Sequence, residues 1–468
     1  MNSMRVFLPN LNPLESRRGV WAIAILYLAV SAVMWTDFDG ETRLKYSGDG
    51  TSWYSPSVGF YEHGRFVNHD TPDTPSAYRP PMYPLFAAGA FFLAGDTDTN
   101  AVAVLQILLL LAVGFLFRSI VNDWLANWGT AGMALLLFNP NVLTIAQYVQ
   151  SDTLFLFFVT VVLFAVLKYA RGQVDWRYPL LVGLALGLAC LTRPTAQFLI
   201  VVLPIAYPLI DLANQEFGRW RLGLLKGLAA MAVSFLVLLP WAHHVKKIEG
   251  GYDLSSAEVK SRYIWDQVAM VEAQHSGVSY HEASKKEVAK WGLVEDRHGE
   301  RWNKMNVSER HAAILREGYQ TLLSYPANSL VVAYTRSILQ FLGAGGSGRW
   351  HYLVEEDPDR LANAWFTSSQ SDILGMLARF TGGASIAGAL ASIGCIAFVV
   401  IARILGLVGL GAMIWRRHWS LLLVVVAMIS YFALIHLFVG NSRYRLAVEP
   451  ALVLLFLYGI EAVWRRFR

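Results

Sequence analysis

Two aspartates stand where a carboxylate could take part in catalysis. Asp49 lies between Gly48 and Gly50, and glycines on both sides let the backbone bend and hold the carboxylate in an exposed position. Such a group suits a general base, although a plain Asp-Gly turn explains the same residues. Asp152 opens an apolar run, where capping of a helix is the alternative to a chemical role. The two carboxylates could divide base and orienting roles, or bind a divalent metal.

Four arginines accompany these aspartates. Arg79 precedes Pro80-Pro81, and the prolines fix the chain direction and therefore aim the side chain. Arginine binds phosphate through two parallel hydrogen bonds, so Arg79 is a candidate phosphate ligand. The alternative is that Arg79 only lies at the membrane interface beside aromatic rings. The other three arginines stand at the ends of apolar runs and are Arg193, Arg443 and Arg445. Glu449 could pair with Arg443 or Arg445.

Aromatic and histidine side chains flank the same motifs. The tyrosines predicted to line a substrate pocket are Tyr54, Tyr78, Tyr83 and Tyr444. His243-His244 follows Pro240-Trp241. Because adjacent residues diverge on a helix, at most one of the pair could ligate a metal. The sequence therefore leaves a divalent metal at Asp49, Asp152 and His244 as one option, with no complete ligand set.

The elements that must position these residues are apolar helices. The chain has 468 residues, of which 55% are hydrophobic and 16% are charged, whereas soluble domains carry about 25% charge. This composition excludes a disordered chain. With only two cysteines, a disulfide scaffold is excluded as well. We expect one α-helical polytopic membrane protein.

About ten charge-poor runs predict transmembrane helices, although several are shorter than the roughly 20 residues that a span needs. They are Gly19–Thr36, Thr99–Phe117, Trp124–Ser151 with an exit near Asn139-Pro140, Thr153–Leu167, Tyr178–Thr192, Pro194–Ile210, Gly227–Val245, Phe380–Trp415 interrupted by Arg403, His418–Ser442 and Pro450–Trp464. Tyr83–Gly95 is apolar but too short to span comfortably.

Charge bias orients these spans. With the N-terminus in the cytoplasm, the inner segments carry 15 basic and 5 acidic residues, whereas the first outer loop carries 4 basic and 9 acidic ones. An even number of spans returns the C-terminus to the cytoplasm. We predict a transmembrane module over 1–245 with an outer loop at 37–98, an outer-face segment with amphipathic helices over 246–379, and C-terminal spans over 380–468.

Several functional classes are disfavoured by the motifs. The chain has no Walker A motif, no dinucleotide fingerprint that follows a predicted strand, no Gly-x-Ser-x-Gly and no His-Glu-x-x-His. A soluble nucleotide is therefore not the expected energy source. The isoelectric point of about 9.0 follows from basic inner loops and not from nucleic-acid binding.

The ordered motifs resemble a family, the GT-C glycosyltransferases of the family 39 type, which includes protein O-mannosyltransferases and the aminoarabinose transferase of lipid A. The matching segments cover about 1–245 and 419–463. They are Asp49, Arg79-Pro80-Pro81-Met82, Ser151–Phe155, Gly187–Pro194, Pro240-Trp241, and Ser442–Leu446 through Pro450.

The resemblance implies a GT-C fold of about ten spans, within a range of 10 to 13, and an active site at the outer, periplasmic face of a bacterial inner membrane. It implies a polyprenyl-phosphate sugar as donor, an acceptor hydroxyl on a lipid, glycan or protein, and inversion at the anomeric carbon. Asp49 would be the base and Asp152 the second acid. Arg79, Arg193, Arg443 and Arg445 would bind the donor phosphate.

Two other classes remain as alternatives. An O-antigen-type polymerase or ligase would use a lipid-diphosphate donor and place its key residues in a later outer loop. A flippase or transporter would need ionisable groups near the bilayer midplane and a repeated, broken-helix organisation. Only Arg403 is placed deep in a predicted span.

Overall fold

The computed structural model describes residues 15–36, 43–44, 49–355 and 385–466, with backbone alone at 287–293 and 353–354. Several predictions fall wholly or partly outside these residues: the leader up to residue 14, Ser47-Gly48, residues 356–384 and the terminal Arg468. Within the described ranges the chain is almost wholly helical.

The described helices and strands follow in chain order. They are α1 (Arg17–Thr36), α2 (Gly50–His63), β1 (Val67–Asn68), β2 (Thr71–Pro75), α3 (Met82–Ala94), α4 (Thr99–Trp124), α5 (Gly129–Leu137), α6 (Pro140–Leu143), α7 (Asp152–Ala170), α8 (Arg177–Thr192), α9 (Gln197–Ala213), α10 (Trp220–Glu249), α11 (Ala257–Ser276), α12 (Tyr280–His298), α13 (Glu300–Lys304), α14 (Val307–Ser324), α15 (Ala327–Gly343), α16 (Ser347–Val354), α17 (Ile386–Trp415), α18 (Trp419–Ile435) and α19 (Glu449–Arg466). Strands β1 and β2 form a small antiparallel hairpin.

The predicted polytopic helical membrane fold is confirmed. Seven described helices are long and apolar enough to cross a membrane: α1, α4, α7, α17 and the helical segments Pro194–Ala213, Phe217–Glu249 and Tyr444–Arg466. The third predicted span is a pair of helices bent by 59°, because Pro140 has no N–H to continue the hydrogen-bond ladder. The fifth and ninth predicted spans are shorter apolar helices, α8 and α18. About ten spans are thus accounted for.

The C-terminal helix α19 is the most enclosed of the spans, and it packs closely along α17. Two glycines make this approach possible. A Cβ on Gly409 would lie 1.9 Å from the Leu455 carbonyl oxygen, and one on Gly459 would lie 1.9 Å from the Leu405 carbonyl oxygen. Small residues at such crossings let the backbones of membrane helices touch.

Arg403 lies in α17 and has a local partner. Its Nε donates a hydrogen bond to the carbonyl oxygen of Leu342 at 2.9 Å, at the end of α15. A deep charge in a membrane helix needs such a partner. In the described structure Arg403 therefore anchors the amphipathic helix α15 to the long span α17.

The segment after α10 folds into helices with a small core of their own. Trp265 on α11 packs among Ile264, Val268 and Ile314, and its Nε1 donates to the Ile314 carbonyl at 3.1 Å. Two further contacts dock α11 onto the loop that follows α18: Tyr263 Oη donates to the Ile435 carbonyl at 3.0 Å, and Gln267 Oε1 accepts from the Phe438 amide at 2.8 Å.

Candidate active site

Asp49 and Arg79 are brought together where the first outer loop meets α3. Asp49 is the N-cap residue of α2, but its side chain makes no capping bond. Its Oδ1 instead accepts from Arg79 Nη2 at 2.9 Å. Ser52, one helical turn further on, accepts from Arg79 at 2.7 Å and donates to the Asp49 carbonyl at 2.6 Å. The guanidinium also lies 4.6 Å from the ring of Trp53, which favours the cation.

Asp152 begins α7 and lies beneath this pair, almost fully buried. One of its oxygens accepts from Arg193 and the other from Arg443 Nε, the latter at 2.9 Å. Arg193 has an extended backbone, with φ −146° and ψ 121°, because the following Pro194 disfavours helical geometry at the preceding residue. The break between α8 and α9 is thus what projects this arginine toward Asp152.

Arg443 connects the two aspartates. Its Nη1 donates to Asp49 Oδ2 at 2.7 Å while its Nε is bound to Asp152. The residue precedes a short 3-10 helix, Tyr444–Val448, and Asn441 holds the turn by accepting from the Tyr444 amide at 3.0 Å. The five charged side chains therefore form one connected cluster, which we call the arginine cluster: Asp49, Arg79, Asp152, Arg193 and Arg443.

The side chains of the arginine cluster differ in solvent exposure, and the cluster carries a net positive charge. The exposed side-chain fraction is 2% at Asp152, 8% at Arg443 and 36% at Asp49. Asp49 therefore marks its open side. Three guanidinium groups against two carboxylates leave one net positive charge, equal and opposite to the single charge of a phosphodiester. Arginines held in this way are suited to bind a phosphate group.

Electrostatics maintain the charged forms of Asp49 and Arg443. Burial alone would raise the pKa of Asp49, but the charges of Arg443 and Arg79 outweigh it and hold that pKa below its ordinary value. Burial alone would likewise lower the pKa of Arg443, but Asp152 and Asp49 hold it above its ordinary value. Asp49 is thus a carboxylate that binds a proton weakly.

Arg445 does not join the cluster, although it lies two residues from Arg443. It is fully buried, with Nε donating to Glu449 at 2.7 Å and Nη1 donating to the Phe341 carbonyl at 2.8 Å. Glu449 also accepts from Asn139 and Asn141, at 3.0 and 3.1 Å. This network connects the bent helices α5 and α6 to α19. The ion pair between Arg445 and Glu449 is the alternative that the sequence left open for this arginine.

The predicted pocket tyrosines have different surroundings. Tyr444 stacks on His436 with ring centroids 4.2 Å apart, and Arg193 lies 5.7 Å from its ring. Tyr78 lies 5.1 Å from the Arg79 guanidinium. Tyr83 is fully buried beneath Trp53 and donates to Gln106 at 3.1 Å. Tyr54 donates to the Thr97 carbonyl at 3.0 Å. Tyr444 and Tyr78 adjoin the cluster, whereas Tyr83 supports it from below.

The residues offered as metal ligands do not assemble into a metal site. Asp49 and Asp152 are each held by two arginines. His244 stacks on Trp241 and contacts the Ser76 carbonyl at 3.1 Å. Among the residues that the structure describes, no group of three or more His, Cys, Asp or Glu side chains could hold a metal ion. The surrounding guanidinium charges disfavour a cation at this site.

A separate cavity of about 330 Å³ lies among the predicted inner segments. Its lining includes Arg171, Asp211, Arg219 and Arg417. Tyr169 donates to both oxygens of Asp211 at 2.9 Å. This cavity has no residue in common with the arginine cluster.

Sequence reasoning missed several residues around the cluster. Ser52 carried a usable signal, because it stands one helical turn after Asp49. His436 had none, since its position depends on how the loop after α18 packs against Tyr444.

The central part of the chain matches a known family. Residues 78–244 match the sequence profile of a family described as dolichyl-phosphate-mannose-protein mannosyltransferase. This segment contains Arg79, Asp152 and Arg193, and it confirms the resemblance inferred from the motifs. No curated protein sequence matches the chain.

Two kinds of solved structure are similar to the chain at low sequence identity. The archaeal oligosaccharyltransferase AglB from Archaeoglobus fulgidus, in complex with an inhibitory peptide and a dolichol-phosphate, is 14% identical, with a TM-score of 0.49 over 96% of this chain and 50% of that chain. ArnT from Cupriavidus metallidurans, in the apo state and bound to undecaprenyl phosphate, is 14% and 15% identical, with a TM-score of 0.40 over 93% and 95% of this chain and 78% of that chain. The chain thus spans half the length of the archaeal protein.

Proposed function

We propose that this chain, whose residues 78–244 match the profile of the dolichyl-phosphate-mannose-protein mannosyltransferase family, is a multi-pass membrane glycosyltransferase that uses a sugar linked to a polyprenyl phosphate. The observation that carries the proposal is the convergence of Arg79, Arg193 and Arg443 on two carboxylates, with one positive charge in excess. A phosphodiester headgroup supplies the matching charge.

The reaction is a single displacement at the anomeric carbon. An acceptor hydroxyl oxygen forms the new bond as the bond from the anomeric carbon to the phosphate oxygen breaks. The electron pair of the breaking bond goes to the phosphate, and the configuration inverts. A phosphate leaving group needs stabilisation of developing negative charge more than it needs a proton. Arg79 and Arg193, the two more exposed arginines of the cluster, are placed to supply that stabilisation, and Arg443 adds its charge from below.

The two aspartates orient the arginines in this scheme. Asp152, buried below, fixes Arg193 and Arg443, while Asp49 spans Arg79 and Arg443. Preorganised donors stabilise charge without the cost of reorganising during the reaction. Asp49 also keeps the predicted role of base: as the most exposed carboxylate of the cluster, it takes the proton of the acceptor hydroxyl as the new bond forms.

The orientation of the chain completes the proposal. The arginine cluster would lie at the outer, periplasmic surface of a bacterial inner membrane, with both termini in the cytoplasm. The polyprenyl tail of the donor would lie in the bilayer. The acceptor would be a hydroxyl of a lipid, a glycan or a protein.

The decisive experiment is sugar transfer in proteoliposomes that contain the purified chain and a panel of labelled polyprenyl-phosphate sugars. Transfer to a lipid, glycan or protein fraction from at least one donor is expected, and Asp49→Asn should abolish it while the folded fraction is unchanged. Asp73→Asn is a matched control, because Asp73 is an exposed acid of the same loop. The absence of transfer and of polyprenyl-phosphate binding in the wild-type chain would refute the proposal.

A further inference from the structure

The cavity of about 330 Å³ near Arg171 lies at the opposite end of the spans from the arginine cluster. Asp152 begins α7 and belongs to the cluster, whereas Tyr169 lies near the end of the same helix and lines the cavity. At 1.5 Å per residue, these two positions are about 25 Å apart along the helix axis. The cavity is therefore separate from the site proposed for sugar transfer.

Three helix turns meet at this cavity, and one backbone carbonyl joins them. The Ala170 carbonyl oxygen, at the end of α7, accepts from Asn214 Nδ2 at 2.9 Å and from Ser420 Oγ at 3.4 Å. Asn214 directly follows α9, and Ser420 lies in the first turn of α18. The walls of the cavity thus come both from the N-terminal module and from the C-terminal spans.

The charged side chains around the cavity leave a positive excess. They are Arg171, Arg219, Arg417, Asp211 and Glu216. Three positive charges therefore face two negative ones. Arg219 pairs with Glu216 at 3.4 Å, and both oxygens of Asp211 accept from Tyr169. Among the residues that the structure describes, Arg171 and Arg417 form no ion pair, so their guanidinium groups are open to an anion.

The charge bias that orients membrane helices already explains why arginines lie at this face. Two features go beyond that bias. The guanidinium of Arg171 lies 5.3 Å from the ring of Trp124, which also lines the cavity and favours the cation at its wall. Arg417 has φ 55°, a left-handed conformation that a non-glycine residue adopts only at an energetic cost. Glycine is the usual residue at such a position after a helix, so an arginine there indicates that its charge is used.

Exposed aromatic side chains place the cavity at the level of lipid headgroups. The aromatic residues exposed on the same three turns are Trp176, Phe217, Trp220, Trp415 and Trp419. Tryptophan is enriched at membrane–water interfaces, where its ring lies among the headgroups. A phosphate in this cavity would therefore belong to a membrane lipid whose acyl chains extend along the neighbouring spans.

We propose that this cavity binds the phosphate of an anionic membrane lipid, with Arg171 and Arg417 as its ligands. Arginine donates two parallel hydrogen bonds to a phosphate, and the single charge of a phosphodiester balances the excess charge of the lining. Because Arg171 belongs to the N-terminal module and Arg417 to the C-terminal spans, one phosphate bound by both joins the two parts of the chain. The site does not depend on the proposed sugar transfer.

The test measures the thermal unfolding midpoint of the purified full chain in detergent as dioctanoyl phosphatidylglycerol is added. A ligand that binds only the folded state raises the midpoint, and the titration gives an apparent Kd. Replacement of both arginines, Arg171→Ala with Arg417→Ala, should raise that Kd by at least about tenfold, because hydrogen bonds to a charged group are lost. Arg221→Ala is the matched control, since Arg221 is an exposed arginine of the same face that does not line the cavity.

Two further ligands distinguish the lipid from its parts. Glycerophosphate carries the phosphate without acyl chains, and dioctanoylglycerol carries the acyl chains without phosphate. Both should bind more weakly than the phosphatidylglycerol. If glycerophosphate binds as tightly as the lipid, the ligand is a soluble phosphate and the assignment to a lipid is wrong. A wild-type Kd in the double variant would show that the lipid binds elsewhere, for example at the arginine cluster, and would overturn the proposal.

Arg417→Gly separates the strain of the turn from the binding of lipid. Glycine adopts φ 55° without a steric cost, so the lipid-free variant should unfold at a temperature no lower than that of the wild type. The same variant loses one phosphate ligand, and added lipid should therefore raise its midpoint less. An equal rise with lipid in both proteins would exclude Arg417 as a ligand.

Discussion

Arg443 donates a hydrogen bond from Nη1 to Asp49 at 2.7 Å, although the two residues lie 394 positions apart in the sequence. The same guanidinium binds Asp152 through Nε. One side chain from the loop before the last helix thus holds together two carboxylates of the N-terminal half. The following predictions depend on this relationship and on its neighbours.

Replacement of Arg443 by lysine should impair function while the positive charge is kept. Lysine is a point charge and cannot hold two carboxylates through a planar fork. We expect the rate of sugar transfer to fall by at least about tenfold, the equivalent of one lost hydrogen bond to a charged group. Arg65→Lys, at an exposed position of the first loop, is the control. A wild-type rate in Arg443→Lys would show that fork geometry is unimportant.

Replacement of Asp152 by asparagine should destabilise the protein. Two arginines would face each other beside a neutral amide, and breaking a buried ion pair costs about 3–5 kcal/mol. The measurement is the thermal unfolding midpoint in detergent, compared with that of Asp73→Asn. An unchanged midpoint would mean that the buried charges are compensated by other groups.

Alanine substitutions of Arg79 and Arg445 should have different effects on donor KM and on stability. Arg79→Ala removes a guanidinium from the open side of the cluster, so we expect the donor KM to rise while the folded fraction is retained. Arg445→Ala leaves Glu449 as a buried charge without its cation, which should cost about 3–5 kcal/mol of stability. The donor KM of the folded Arg445→Ala fraction should stay unchanged. Equal effects of both variants on donor KM would place Arg445 in the phosphate site.

Asp49 should make stability depend on pH in the acidic range. Its pKa in the folded protein lies below the ordinary value of 3.8, so its contribution to stability is present above about pH 4. That contribution is lost as the pH falls through the lowered pKa, because the unfolded chain then binds the proton more readily. Unfolding midpoints measured between pH 3 and pH 6 should fall less steeply with acid in Asp49→Asn than in the wild type.

Tyr83 should contribute to stability and little to chemistry. Its hydroxyl is fully buried and donates to Gln106, so Tyr83→Phe leaves the amide oxygen without that donor, at a cost of about 1–3 kcal/mol. The variant should transfer sugar at a rate close to that of the wild type once its folded fraction is taken into account. A strong loss of kcat with an unchanged unfolding midpoint would contradict this role.

Much of the arginine cluster could be predicted, because local sequence features mark its members. Asp49 lies between glycines, Arg79 precedes two prolines, Asp152 opens a helix and Arg193 precedes Pro194. Each feature fixes the local chain direction at the outer end of an apolar run. A pair between Glu449 and one of the last two arginines was foreseeable, but its assignment to Arg445 was not, since it depends on the short 3-10 helix that turns the two side chains toward different partners.

The helical membrane fold was also predictable, since hydropathy alone marks the spans. The bend at Pro140 was anticipated only as an exit from the membrane, whereas the structure continues helically beyond it. The docking of α11 against the loop at 435–438 was beyond sequence reasoning. It depends on side-chain-to-backbone hydrogen bonds between α11 and the loop at 435–438, and such tertiary contacts leave no periodic signal.

Those two hydrogen bonds have a mechanical consequence. Tyr263 and Gln267 form hydrogen bonds with the backbone of the loop. A displacement of α11 as a rigid body therefore moves residues 435–438 and, with them, the segment that bears Arg443. Entry of a bulky acceptor cannot be accommodated by swinging α11 away on its own without disturbing the arginines.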